Sequence, residues 1–195
     1  MNFPNKLTIA RIFLAPIFMV FFLIKDVYLG YLATLVFCLA AATDLYDGYL
    51  ARKTGVITGF GKFMDPLADK ILTSVALISF VALGYVETWI VSVIIVREFL
   101  VTGLRSLAAY KGLVIMPSIP AQWKTALQMI TIIIILLFIN LKSTLVPLGY
   151  HWRIFDQALS IRLFNIMVFV LMLMSVGTGI DYLVKNAPLL KGVLK

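Results

Sequence analysis

Six apolar runs divide this chain, and each approaches or exceeds the about 20 residues a helix needs to cross a bilayer. They fall near Thr8–Ile24, Tyr28–Leu50, Pro66–Leu83, Thr88–Tyr110, Lys124–Leu141 and Ile161–Val184. With 195 residues of which 62% are hydrophobic, the chain far exceeds the about 45–50% apolar content of a soluble domain. A water-soluble fold of this length has no interior large enough for so many apolar side chains, so the expected solvent is lipid. The connections Lys25–Val27 and Gly84–Glu87 are short and make neighbouring helices antiparallel. Two longer joints, Arg52–Met64 with Gly55, Gly59 and Gly61, and Leu113–Trp123 with Pro117 and Pro120, read as non-helical. No internal repeat stands out. The expectation is an all-α integral membrane protein, with six transmembrane helices in a single domain over residues 1–195.

Charge sets the orientation. Only Lys25, Lys142, Arg153 and Arg162 of the 17 Lys and Arg fall on one side; the others collect at the opposite side or at helix ends facing it. Basic residues stay cytoplasmic, which places both termini inside a cytoplasmic (inner) cell membrane crossed several times. The net charge of +8 is scattered between apolar runs and forms no separate basic domain, so nucleic acid is not an expected partner. Anionic membrane lipid and phosphate-bearing substrates are. Cys38 and His151 are the only residues of their kinds, which excludes an internal disulfide and a Cys/His zinc site. Cys38 is expected to pack within its helix, His151 to be solvated, and the run Ile130–Ile139 to face lipid.

Four of the nine acidic residues cluster in Asp44-Leu-Tyr-Asp47-Gly48-Tyr-Leu-Ala51-Arg52 and Gly61-Lys-Phe-Met-Asp65-Pro-Leu-Ala-Asp69. Asp44 and Asp47 are three apart and Asp65 and Asp69 four apart, so each pair projects from one helical face. A short loop between the two helices brings four carboxylates to one pocket. Cations must neutralise them, because mutual repulsion would otherwise force protonation. Oxygen ligands without His or Cys favour hard ions, Mg²⁺ or Mn²⁺. Four carboxylates suit two such ions, which together clamp a phosphoryl group. Gly48 allows close approach of a phosphate or ribose, Arg52 is placed to contact a phosphate, and Thr58 offers a hydroxyl. Asp65, followed by Pro66, also fits a helix cap.

The pattern D-x2-D-G-x2-A-R-x8-G-x3-D-x3-D, met here by Asp44, Asp47, Gly48, Ala51, Arg52, Gly61, Asp65 and Asp69, resembles the signature of the CDP-alcohol phosphatidyltransferase family. The six-run layout agrees with that family's fold over nearly the whole chain. The resemblance implies that Asp44, Asp47 and Asp65 ligate metals, and that Asp69 ligates one and acts as general base. Gly48, Ala51, Arg52, Thr58 and Gly61 would lie about the CDP moiety. It further implies CDP-diacylglycerol as donor, attack by an acceptor hydroxyl on its β-phosphorus with CMP leaving, an active site facing the cytoplasm, and a homodimer. A divalent-cation transporter, which would need carboxylates near the membrane midplane and a second gate, is the rival of another class. A purely structural scaffold leaves the intramembrane charges without a use.

For the acceptor, Arg97 and Arg105 stand eight apart in the fourth run, where guanidiniums are costly unless used. Glu98 is expected to pair with one of them or with Lys124. The remaining positive charge fits a phosphate-bearing alcohol, glycerol 3-phosphate or inositol phosphate. The segments Val96-Arg97-Glu98-Phe99-Leu-Val-Thr-Gly-Leu-Arg105 and Pro4-Asn5-Lys-Leu-Thr8-Ile-Ala-Arg11 resemble the branch of the family that makes phosphatidylglycerophosphate. That resemblance implies glycerol 3-phosphate, with Arg97, Arg105 and Lys124 as candidates for its phosphate. Asn5 and Thr8 are candidates for the nucleotide rim, or plain helix caps. Ala121-Gln122-Trp123-Lys124-Thr125 carries one lysine where that branch has Gly-Lys-x-Lys-Thr.

Overall fold

The computed structural model describes the backbone of residues 3–54, 59–110 and 118–194, and the side chains of residues 7–43, 67–109 and 118–187. These residues form six α-helices: α1 (Phe3–Leu23), α2 (Val27–Thr54), α3 (Gly59–Ala82), α4 (Thr88–Tyr110), α5 (Ile119–Leu145) and α6 (Gln157–Leu194), with a single 3-10 turn at Arg153–Phe155 before α6. The helices cover the six apolar runs but extend past several of their ends. Arg52 and Lys53 continue α2, Gly59–Met64 belongs to α3, and Ile119–Trp123 opens α5, so the two joints expected to be non-helical are shorter than the sequence indicated. Hydropathy marks where lipid gives way to water, whereas the backbone ladder continues while its side chains turn polar. Pro120 lies in the first turn of α5, where its missing N–H leaves no bond unmade.

Two glycines end helices by backbone geometry. Gly84 has φ +74° and Gly149 φ +90°. At the first, Tyr85 N–H donates to Phe80 O at 2.9 Å and Gly84 N–H to Val81 O at 2.9 Å. At the second, Tyr150 N–H donates to Leu145 O and Gly149 N–H to Val146 O, both at 3.1 Å. This is the paired capping of a left-handed terminal residue, which satisfies carbonyls that the helix itself leaves open.

α1 packs on α2 and α3, α4 on α3 and α6, and α5 on α2 and α6. Small residues on the contact faces, Ala15, Ala33, Ala40 and Ala76, are fully buried and let the helices approach closely. Phe18 stacks on Phe22 (centroids 5.5 Å) and meets Phe37 at 5.5 Å, and Phe22 meets Phe80 edge-on at 5.7 Å, locking α1, α2 and α3 together. The outer faces are as apolar as the core: Leu35, Leu39, Val96, Leu100, Leu137, Ile166, Leu173 and Ile180 are all exposed. α5 and the Gln157–Ala187 part of α6 are each long and apolar enough to cross a membrane, with Leu7–Leu23 and Val27–Thr43 apolar over shorter lengths.

Two expectations about single features fail. Cys38 is exposed on the outward face of α2, where a weakly polar thiol is tolerated against an apolar solvent as readily as in a core. The Ile130–Ile139 run splits, with Ile132, Ile135, Leu136 and Ile139 buried and Ile130, Ile134 and Leu137 exposed. A uniformly apolar run carries no periodicity from which its inner face can be read. His151 is exposed as expected, and Lys185 Nζ lies 2.8 Å from Asp181 Oδ1.

Polar cross-links fix α2 against α5: Asn140 Nδ2 donates to Thr34 Oγ1 at 2.7 Å, and Tyr31 and Thr144 hydroxyls lie 3.1 Å apart. Gly30 is what admits Asn140, since a Cβ at position 30 would stand 2.7 Å from Asn140 Oδ1. Gly30→Ala is therefore expected to destabilise the protein by about 1–3 kcal/mol through overpacking, lowering its unfolding temperature in detergent. Gly103→Ala, which meets nothing within 4 Å, should leave that temperature unchanged or raise it.

Candidate functional site

The sequence pattern that carries the four carboxylates runs through the C-terminal part of α2 and the start of α3. The backbone is helical at Asp44, Asp47, Gly48, Ala51 and Arg52 in α2 and at Gly61, Asp65 and Asp69 in α3, so the spacings of three and four are helical spacings. The side chains of Asn5, Asp44, Asp47, Ala51, Arg52 and Asp65 lie outside the described set, as do the surroundings of Gly48 and Gly61; Thr58 lies outside the described residues altogether. Of the four carboxylates, Asp69 is therefore the one whose surroundings are described.

Asp69 forms an ion pair with Arg11 of α1. Arg11 is fully buried, as is Thr8 one turn before it, so α1 presents a polar face to α3 at this end of the bundle. One position on, Lys70 reaches across to α4, with Nζ 3.5 Å from Glu98 Oε2. Glu98 is 1% exposed and also pairs with Lys124 of α5, 2% exposed. The partner of Glu98 left open by the sequence is thus Lys124, with Lys70 beside it. Three helices are tied through one buried carboxylate between two ammonium groups.

Above this cluster is a cleft of about 500 Å³ lined by Asp69, Lys70, Arg97, Arg105, Lys124 and Thr125, among others. Arg97 and Arg105, two helical repeats apart on α4, both open onto it. Arg97 Nη2 donates to Thr178 Oγ1 of α6 at 2.7 Å, and the Arg105 guanidinium lies 5.7 Å from the centroid of the Tyr182 ring, within cation–π range. Among the described residues, four cations stand here against the carboxylates of Asp69 and Glu98, an excess of positive charge, and Glu98 neutralises mainly the two lysines. The arginines supply the charge left for an anion, and their planar forks suit phosphate.

A second cavity of about 400 Å³ shares Asp69, Lys70, Thr125 and Ala126 with the first, then runs between helices past Leu72, Met129, Ile130 and Ile133. Ile130 at its lip is 52% exposed, so this groove opens sideways through the apolar flank of the bundle. Asp69 thus stands where a cleft lined by cations meets an apolar groove.

The structure brings Asp69, Arg97, Arg105 and Lys124 around one cleft, and buries Thr8 one turn before Arg11 on α1. Sequence reasoning gave no site role to Arg11 or Lys70. The signal for Arg11 was available, as a cation inside an apolar run is costly without a partner. Thr178 and Tyr182 left none, because a lone hydroxyl in a long apolar helix reads as filler.

Among the described residues no group of His, Cys, Asp and Glu forms a metal cluster. The donor chemistry at this end of the bundle is nonetheless all oxygen, since Cys38 faces outward and His151 sits in the connection before α6.

The sequence model of the CDP-alcohol phosphatidyltransferase family matches residues 1–163. The chain is 40% identical over 202 residues to "CDP-diacylglycerol--glycerol-3-phosphate 3-phosphatidyltransferase" of Bacillus subtilis (strain 168), covering 97% of each chain. It is 41% identical over 136 residues to the protein of that name from Rickettsia typhi, covering 70% of this chain and 76% of that one. With the Escherichia coli (strain K12) protein of that name it shares 36% identity over 138 residues, 67% of this chain and 74% of the other.

Glu98→Leu leaves Lys124 buried without its counter-charge and is expected to destabilise the protein by about 3–5 kcal/mol. Adding Lys124→Met should recover much of that stability, giving a non-additive double-mutant cycle when unfolding is followed in detergent.

Proposed function

This chain belongs to the CDP-alcohol phosphatidyltransferase family, and on that premise we propose that it transfers the phosphatidyl group of CDP-diacylglycerol to glycerol 3-phosphate, yielding phosphatidylglycerophosphate and CMP in phospholipid biosynthesis. The observation that carries this reading is the meeting of cationic cleft and apolar groove at Asp69. A lipid donor and a small phosphorylated acceptor need just such a pair of compartments with a proton acceptor between them. The matched relatives bear the name of this reaction along 97% of the chain in one case.

In this reading Arg97 and Arg105 hold the acceptor phosphate, and Lys124, fixed by Glu98, adds to the positive field. That grip turns an acceptor hydroxyl toward Asp69. Asp69 takes the hydroxyl proton as the oxygen attacks the β-phosphorus of the donor, and the phosphoanhydride bond to CMP breaks. The acyl chains occupy the groove past Leu72 and Ile133, which excludes water from that flank. Arg11 holds Asp69 in place between the compartments. Asn5, Thr8, Gly48, Ala51, Arg52, Thr58 and Gly61 border the CDP moiety.

Asp44, Asp47, Asp65 and Asp69 form an all-oxygen donor set that fits two Mg²⁺ or Mn²⁺ ions. When bound, such ions stabilise the negative charge that builds on the phosphoryl and attacking oxygens. The chain crosses the cytoplasmic membrane six times with both termini inside, its site facing the cytoplasm, and it works as a homodimer.

Three outcomes are expected in assays of CMP release from CDP-diacylglycerol. Chelation abolishes activity and Mg²⁺ or Mn²⁺ restores it. Asp69→Asn removes turnover while retaining donor binding, whereas Asp44→Ala loses both metal binding and activity. Full activity of Asp69→Asn would remove it as the base, and serine or inositol phosphate outrunning glycerol 3-phosphate would replace the acceptor.

A further inference from the structure

α6 does more than close the bundle. Its residues Thr178, Gly179 and Tyr182 face α4 at the level of the two cleft arginines. Thr178 Oγ1 accepts from Arg97 Nη2 at 2.7 Å, and its own proton is committed to the helix backbone, with Met174 O at 2.8 Å and Ser175 O at 3.1 Å. The hydroxyl is therefore oriented with a lone pair toward the guanidinium, and it cannot turn round to donate elsewhere without breaking a helical contact.

The next residue sets the path of the same side chain. A Cβ at Gly179 would stand 2.8 Å from Arg97 Nε, 3.3 Å from Cγ and 3.6 Å from Cδ. The stem of Arg97 thus lies along the bare backbone of α6, in space that any other residue would fill. One contact pins the tip of the side chain and the other sets its course. Three residues beyond Gly179, Tyr182 lies under Arg105. A small polar cavity of about 180 Å³, lined by Arg97, Arg105, Thr178 and Tyr182 among others, joins this region to the cleft.

The Bacillus subtilis relative aligns over 97% of the chain, α6 included, while the family's sequence model matches residues 1–163. The aspartates lie within that stretch. Thr178 and Gly179 touch Arg97, a side chain of the acceptor compartment, and neither lines the groove assigned to the donor.

We infer that Thr178 and Gly179 are positioning residues that fix Arg97 for the acceptor phosphate, making α6 a determinant of acceptor selection. This rests on the reading of the cleft as the glycerol 3-phosphate site. The test is initial-rate kinetics in detergent–lipid micelles, with each substrate varied at saturating levels of the other, for wild type, Thr178→Val, Thr178→Ser and Gly179→Ala. Thr178→Val removes a hydrogen bond to a charged group, and Gly179→Ala displaces the arginine stem. Each should raise KM for glycerol 3-phosphate by about tenfold, with kcat and the KM for CDP-diacylglycerol within about twofold of wild type. Thr178→Ser keeps the acceptor oxygen and should behave as wild type.

Unchanged acceptor KM in both Thr178→Val and Gly179→Ala would overturn the positioning role. So would a parallel fall in kcat, donor affinity and unfolding temperature, the mark of a merely structural contact. Should Thr178→Val fail to fold, Gly179→Ala decides by itself, since only a flexible side chain has to move. A wild type that releases no CMP with glycerol 3-phosphate overturns the acceptor reading and this inference with it; an active wild type with unaffected variants overturns the inference alone.

Discussion

Glu98 is a carboxylate with 1% of its surface exposed, set in a bundle whose core and periphery are both apolar. An isolated charge in such surroundings is prohibitively costly, so it persists only with partners. Lys70 and Lys124 supply them from the two neighbouring helices. The arrangement of this end of the bundle follows. α3, α4 and α5 are held at one separation, the lysines are drawn partly away from the cleft, and the arginines one position before and seven beyond Glu98 are left facing it. Helices whose outer faces are as apolar as their contact faces gain little from hydrophobic burial against each other, which makes a charged tie of this kind a means of setting register.

The packing divides into α1–α3, locked by phenylalanines, and α4 with α6, joined along the arginine face; α5 bridges to both through α2 and α6. The cleft lies at the seam between these parts. Side chains from α3, α4 and α5 meet there, and α1 and α6 each brace one of them, Arg11 on Asp69 and Thr178 on Arg97. Each described charged group bordering the seam therefore answers to a helix other than its own.

Much of this was legible from residue order. Continuous apolar runs mark helices that must satisfy their backbones internally, and all six appear near the expected positions. The eight-residue interval between Arg97 and Arg105 placed them on one face, and both do line one cleft. The expected joints Arg52–Met64 and Leu113–Trp123 overlap the ends of α2, α3 and α5, because a turn to polar side chains does not by itself end the backbone ladder. The inner face of Ile130–Ile139 could not be read for want of any contrast between its sides. Contacts such as Arg97 with Thr178, 81 positions apart, depend on how helices rotate against each other, and nothing local in either segment encodes that. Gly179 is a related case. Its lack of a side chain matters only because an arginine from another helix lies across it.

The groove beside Asp69 opens through the flank of the bundle at Ile130, while the cleft it joins is lined by charge. In the proposed reaction, one reactant arrives by sliding within a two-dimensional film and the other by tumbling through bulk water. For the sliding partner, the quantity that governs encounter is its mole fraction in the surrounding sheet, whatever volume of solution the sheet is suspended in. Dilution with inert lipid would slow such a catalyst, whereas dilution with buffer would thin only its hydrophilic supply.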